Sequence, residues 1–117
     1  MRQVITQPEE ENSKPLTEPV LLVLIGLSAK PLHGYALMKE VTRISGGRVR
    51  LSTGTLYGVL RRLLDDGWIE RFEQEDTSRE KQAYRLTSDG QRQLRRELER
   101  MRQLTRAAAL RLRAMEA

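Results

Sequence analysis

The chain has 117 residues, no cysteine and a single histidine, with a net charge of +5 and a pI near 10.1. The length suits about one domain, by the prior of roughly 100–200 residues per domain. Without cysteine there are no disulfides and no thiolate chemistry, and the charge favours an anionic partner, by attraction to phosphate or a membrane surface. That charge is uneven. Residues 1–18 carry Arg2 and Lys14 against Glu9, Glu10, Glu11 and Glu18, a net −2, so the remaining chain holds +7.

Residues 1–16 are polar, acidic and broken by Pro8 and Pro15, the pattern of a flexible N-terminal arm. Thr17-Glu18-Pro19 then reads as a helix start: a capping hydroxyl, an acid at the positive helix end and a proline in the first turn. The helix from Val20 to about Ser28 is apolar nearly all round and belongs in the core. Gly26 lowers helix propensity by about 1 kcal/mol, which close approach of another helix would offset. The apolar run Val20–Leu27 is far short of the roughly 18 residues of a membrane span. Nor does a cationic signal-peptide start precede it, so a cytoplasmic protein with no membrane partner is expected.

Lys30-Pro31-Leu32-His33-Gly34 reads as a turn. A second helix runs from Tyr35 to about Ile44, with Leu37, Met38, Val41 and Ile44 inward, and Ser45-Gly46-Gly47 ends it. Arg48-Val49-Arg50-Leu51 alternates and suggests a very short strand.

Ser52 to Leu64 is the most informative stretch. Leu56, Val59, Leu60, Leu63 and Leu64 form the apolar stripe of an amphipathic helix. Ser52 is the expected N-cap and Gly67 the left-handed stop after Asp65-Asp66. The opposite face carries Gly54, Tyr57, Gly58, Arg61 and Arg62, with Thr53 at its start. Taken alone, it suits a DNA-recognition helix or an ordinary solvated basic face equally.

Trp68 to Glu73 and Gln82 to Leu86 alternate like strands around a polar loop, a hairpin. Thr87-Ser88-Asp89 supplies caps and first-turn acid for a last helix. In that helix Leu94, Leu98, Met101, Thr105, Ala108, Leu112 and Met115 recur at alternating steps of four and three, a heptad seam. Such a seam packs on a copy of itself or back along the core.

The element order is that of a mainly α fold with a small β-hairpin. It is a winged helix-turn-helix over residues 17–86 followed by a long C-terminal helix over residues 87–117, the expected dimerisation element. Residues 52–64 fall where the recognition helix belongs, which tips them towards DNA. Ser52, Thr53, Gly54, Thr55, Tyr57 and Arg61 are the expected groove and phosphate contacts, joined at the wing tip by Arg79 and Lys81. Ser52 to Gly54 also lie at a helix N-terminus, which favours phosphate. Arg48 and Arg50 divide evenly between phosphate contact and solvation. His33 has no partners at metal-ligand spacing, and no nucleophile–base set is visible, so neither a metal, a cofactor nor an enzyme is expected. Trp68 suits core packing between wing and recognition helix, with the lining of an effector cavity as the alternative.

Four motifs carry a resemblance. They are His33-Gly34-Tyr35; Leu51-Ser52-Thr53-Gly54-Thr55-Leu56-Tyr57 with Leu60-Arg61-Arg62-Leu63; Asp66-Gly67-Trp68-Ile69; and Tyr84-Arg85-Leu86-Thr87-Ser88-Asp89-Gly90. In this order and spacing the chain resembles the PadR-like winged-helix transcriptional regulators of bacteria over residues 18–100, in the branch with one C-terminal helix. The resemblance implies a homodimeric repressor on double-stranded DNA with a pseudo-palindromic operator, its C-terminal helix making the dimer, and release by a small-molecule effector or another signal. The chain departs from the family at the wing, where Glu80 interrupts the basic run and Ala83 replaces an aromatic. Some small members bind flat aromatic ligands between dimer helices, but residues 87–117 hold no aromatic side chain. A winged-helix protein-interaction module is the alternative function.

Overall fold

Thr17 caps the first helix: its Oγ1 accepts from the Val20 backbone N–H at 3.4 Å. The computed structural model describes residues 15–72 and 82–117. Helix α1 spans Glu18–Gly26 and buries Val20, Leu22, Val23 and Leu24. Strand β1, Leu32–His33, leads directly into α2, Gly34–Ile44. Helix α3 covers Thr53–Asp65, strands β2 and β3 cover Ile69–Phe72 and Ala83–Leu86, and α4 runs Ser88–Glu116.

The core lies where α1, α2 and α3 meet the sheet. Val23, Leu24, Leu37, Val41, Leu56, Leu60, Leu63 and Ile69 are its fully buried side chains. Each such residue contributes on the order of 1.5–3 kcal/mol through apolar burial. The expected close approach at Gly26 is present, since a Cβ there would lie 2.8 Å from Leu37 Cδ1. Trp68 and Leu94 complete the same cluster, so Trp68 is a core residue.

The sheet departs from expectation at one strand. The order is β1–β3–β2, all antiparallel, with Leu32 opposite Tyr84 and Ile69 opposite Leu86. The third strand is therefore Leu32–His33, which lies in the stretch expected to be a turn. Arg48–Leu51, expected to be a short strand, forms no strand. Its alternation arises because Leu51 is buried and Val49 half-buried while Arg48 and Arg50 face outward. The Val49 N–H donates to Ser45 Oγ at 3.0 Å instead of joining a ladder.

A compact junction joins α3, the hairpin and α4. Gly67 adopts a left-handed φ of 76°, and the Trp68 N–H donates back to the Leu63 carbonyl at 3.0 Å, closing α3. Thr87 caps α4 by accepting from the Gly90 N–H at 3.1 Å. Its hydroxyl donates to the Gly67 carbonyl at 2.6 Å. The Thr87 N–H donates to the Trp68 carbonyl at 3.1 Å.

The first turns of α4 belong to this body. Leu94 is only 8% exposed and Glu97 only 5%. The Glu97 carboxylate accepts from Arg100 and, at 3.4 Å, from the Leu16 N–H, so it ties the segment before α1 to α4. Hydrogen bonding from Arg100 holds the Glu97 carboxyl below its ordinary value. Beyond Arg100, α4 carries no buried residue. At 1.5 Å per residue, its 29 residues span about 43 Å.

The junction makes a prediction. A Cβ on Gly90 would collide with the Trp68 carbonyl oxygen, a backbone atom that cannot rotate away. Gly90→Ala should destabilise the fold by at least ~1–3 kcal/mol, the range for overpacking. Thermal unfolding of the variant should show a fall of several degrees, and an unchanged melting temperature would exclude this tight contact.

Candidate nucleic-acid interface

Helix α3 presents its polar face because its N-cap and its apolar stripe fix its rotation. Ser52 Oγ accepts from the Thr55 N–H at 3.1 Å and donates to Thr55 Oγ1 at 3.0 Å. Leu56, Leu60 and Leu63 are buried, which turns Thr53, Gly54, Thr55, Tyr57, Gly58, Arg61 and Arg62 outward, all exposed. The structure thus brings together the six expected contacts on this helix. It divides their roles, since the Ser52 and Thr55 hydroxyls are engaged in the cap while Thr53 lies on the surface.

The two arginines of α3 also differ. Arg62 lies 3.8 Å from Asp66 one turn on, an exposed pair of small energetic weight. Arg61 has no ion-pair partner among the described residues. Tyr57 is 46% exposed, and its hydroxyl lies over the start of α2. A Cβ on Gly34 would meet Tyr57 Oη at 2.5 Å, so the motif around Gly34 makes room for this tyrosine. Beside it Tyr35 is exposed, with Lys39 Nζ 4.7 Å from its ring centre.

Gly54 and Gly58 behave differently from the other helical glycines. A Cβ on either would meet nothing within 4 Å. The fold itself does not require them. Each lowers helix stability by about 1 kcal/mol relative to alanine. What they leave is a stretch of bare backbone on the outward face, one helical turn apart.

Between α3 and the sheet lies a cleft of ≈ 370 Å³. Tyr57, Arg61 and Asp65 line it from α3 and Arg71 and Tyr84 from the strands, over Leu60 and Leu64. Burial pushes the Tyr84 hydroxyl above its ordinary pKa, with Tyr57 adding to the effect and Arg71 opposing it. Sequence reasoning missed Arg71 and Tyr84 as site residues. Strand alternation puts Arg71 on the same side as Ile69, but only the packing of the sheet against α3 brings it to this cleft.

The remaining candidates are spread more widely. Arg79 and Lys81 lie outside the described residues. Arg48 pairs with Glu18 across the start of α1, and this hydrogen bond lowers the Glu18 pKa. Arg50 is exposed. On the strands Arg85 donates to Glu70 at 2.7 Å and sits 4.9 Å from the Phe72 ring centre. Among the described residues, no group of three or more His, Cys, Asp or Glu could hold a metal, and no helix is long and apolar enough to cross a membrane.

On α4 the expected seam splits in two. Leu94 packs in the chain's own core. From Leu98 onward the seam is open, with Leu98 38% and Met115 79% exposed. Leu104 and Leu110, off the heptad steps, are exposed as well.

Three helices, a three-stranded antiparallel sheet and an outward-facing third helix define a winged helix. The family model of the PadR-like transcriptional regulators matches residues 21–96. The chain belongs to that family. The fold is similar to a PadR family transcription regulator from Clostridium difficile, with a TM-score of 0.68, 21% identity, and coverage of 82% of this chain and 99% of that one. It is also similar to Bacillus subtilis PadR in complex with operator DNA, with a TM-score of 0.62, 26% identity, and coverage of 73% and 48%. A 37.1 kDa uncharacterized protein from a Streptomyces fradiae transposon is 36% identical over 85 residues. That match takes in 73% of this chain and 23% of the transposon protein.

The open glycines give a stability prediction. Gly58→Ala should raise the melting temperature, by roughly 4–8 °C for about 1 kcal/mol in a domain of this size. A fall on thermal unfolding would mean that the fold does use this glycine.

Proposed function

We propose that this chain is a sequence-specific DNA-binding transcriptional regulator acting as a homodimeric repressor. The observation that carries the reading is the outward face of α3, with Thr53, Gly54, Tyr57, Gly58 and Arg61 exposed on a helix whose other face is locked into the core. A helix fits the major groove, where hydroxyl and guanidinium groups read base edges. The two glycines allow backbone to come close to a base or a phosphate. Residues 17–86 act as the DNA-binding unit and residues 87–117 as the dimerisation unit. The solved complex of Bacillus subtilis PadR with operator DNA supports the partner.

The dimer reading rests on α4. Its seam from Leu98 through Met101, Thr105, Ala108 and Leu112 to Met115 is exposed, with no covering residue among the described residues. A second copy buries such a seam by coiled-coil packing. Two recognition helices related by a two-fold axis then enter successive major grooves, so the operator is a pseudo-palindrome with half-sites about 10 bp apart or a multiple of that. Repression, and release by a small-molecule or other signal, follow the resemblance to the family. A protein of this kind works in the cytoplasm, at the nucleoid when bound.

Selection of bound duplexes from random DNA should return a pseudo-palindrome, and affinity for it should fall steeply with salt. Recovery of no preferred sequence would favour a winged-helix module that binds an acidic protein. Tyr57→Ala and Arg61→Ala should each weaken operator binding by ~1–3 kcal/mol without unfolding the protein; wild-type affinity in both would remove α3 as the reader. Met101→Asp should convert a species of twice the chain mass into monomer in light scattering, and an unchanged mass would move the interface off this seam.

A further inference from the structure

The cleft between α3 and the sheet holds a charge arrangement that a recognition helix alone does not explain. Arg71 lies directly opposite Tyr84 on β3. Opposed residues share a face and neighbours in sequence alternate. Arg71 therefore shares its face with Ile69 and Tyr84, both buried, and projects towards α3 to line the cleft with Arg61. Arg71 is itself exposed, so its guanidinium stays accessible to an anion that enters the mouth of the cleft. The carboxylates nearby are otherwise committed. Glu70 pairs with Arg85 and Asp66 with Arg62. Asp65 also lines the cleft, but among the described residues neither Arg61 nor Arg71 has an ion-pair partner. Two guanidiniums against one carboxylate leave a surplus of positive charge at the mouth. Tyr57 and Tyr84 bring hydroxyls to the same space.

We propose that this cleft seats one phosphate of the DNA backbone, gripped by Arg61 from α3 and Arg71 from β2. Guanidinium forks match phosphate geometry and bind it bidentately. The contact bridges the recognition helix and the wing. It fixes how deep α3 sits in the groove and carries no sequence information of its own. Asp65 opposes the phosphate and tempers the grip. The inference rests on the reading of α3 as the DNA-binding helix.

The test uses the full chain and the duplex recovered by selection, titrated across a range of salt, alongside an unrelated duplex. Arg71→Gln should weaken both duplexes alike, roughly tenfold at low salt, as expected for a charge-assisted hydrogen bond. It should also flatten the slope of log affinity against log salt by about 0.9, the value for one lost phosphate contact. Arg71→Lys, which keeps the charge, should restore most of that slope. Asp65→Asn should tighten both duplexes. Melting temperatures near wild type would confirm that these exposed positions leave the fold intact, and where Arg71→Gln does not fold the Asp65→Asn variant decides, unchanged affinity there overturning the seat. If the wild-type protein selects an operator but Arg71→Gln keeps its affinity and slope, the phosphate seat is overturned and the DNA reading stands. If the wild-type protein binds no duplex, both fall. A second arm titrates inorganic phosphate without DNA. Shifts of the Arg71 and Tyr84 amide resonances, with DNA affinity unchanged in Arg71→Gln, would make the cleft a free-anion site and overturn the proposal.

Discussion

The orientation of every functional element depends on the hydrogen-bonded junction at Gly67, Trp68, Thr87 and Gly90. Gly67 ends α3 in a left-handed conformation that residues with a Cβ rarely adopt. The next carbonyl, that of Trp68, accepts from the Thr87 N–H and lies so close to Gly90 that no side chain fits between them. Thr87 uses its one hydroxyl twice, donating to Gly67 and accepting from Gly90. Within these few residues the end of α3, both hairpin strands and the start of α4 are held against one another. A change in the angle of α4 therefore reaches α3 directly and not through a flexible linker.

α4 belongs to two environments. Its first turns sit on the core through Leu94 and through Glu97, which is satisfied by Arg100 and the Leu16 N–H. The remainder extends away with its apolar side chains exposed. Leu98 and Met101 lie just past Glu97, so the place where α4 leaves its own fold is next to the place where the chain enters α1.

Much of the architecture was legible because its determinants are local. Thr17, Ser52 and Thr87 cap their helices as hydroxyls at helix starts should. Helix α3 was legible from five leucine and valine positions, and the hairpin from two alternating stretches. β1 was not legible, because two residues carry no period and become a strand only by pairing with Ala83 and Tyr84. Arg48–Leu51 misled for the opposite reason, an alternation produced by burial without a partner strand. Nothing local marks Glu97 as a buried charge, since one of its partners, the Leu16 backbone N–H, lies 81 residues away. At the site, the outward residues of α3 followed from the helix period. Arg71 did not, because its importance depends on the register of a sheet against a helix that sequence spacing alone does not set.

The contact between Gly34 and Tyr57 has a consequence for how such a chain can vary. The tyrosine hydroxyl occupies the space that any side chain at position 34 would need. The two positions are thus a coupled pair, one at the start of α2 and one on α3. A shorter residue at 57 would release position 34 from glycine, whereas a side chain gained first at 34 would push the aromatic ring off its seat. Variation across this contact therefore has an easier order: a change at position 57 opens room at position 34, whereas a side chain at 34 has first to displace the ring.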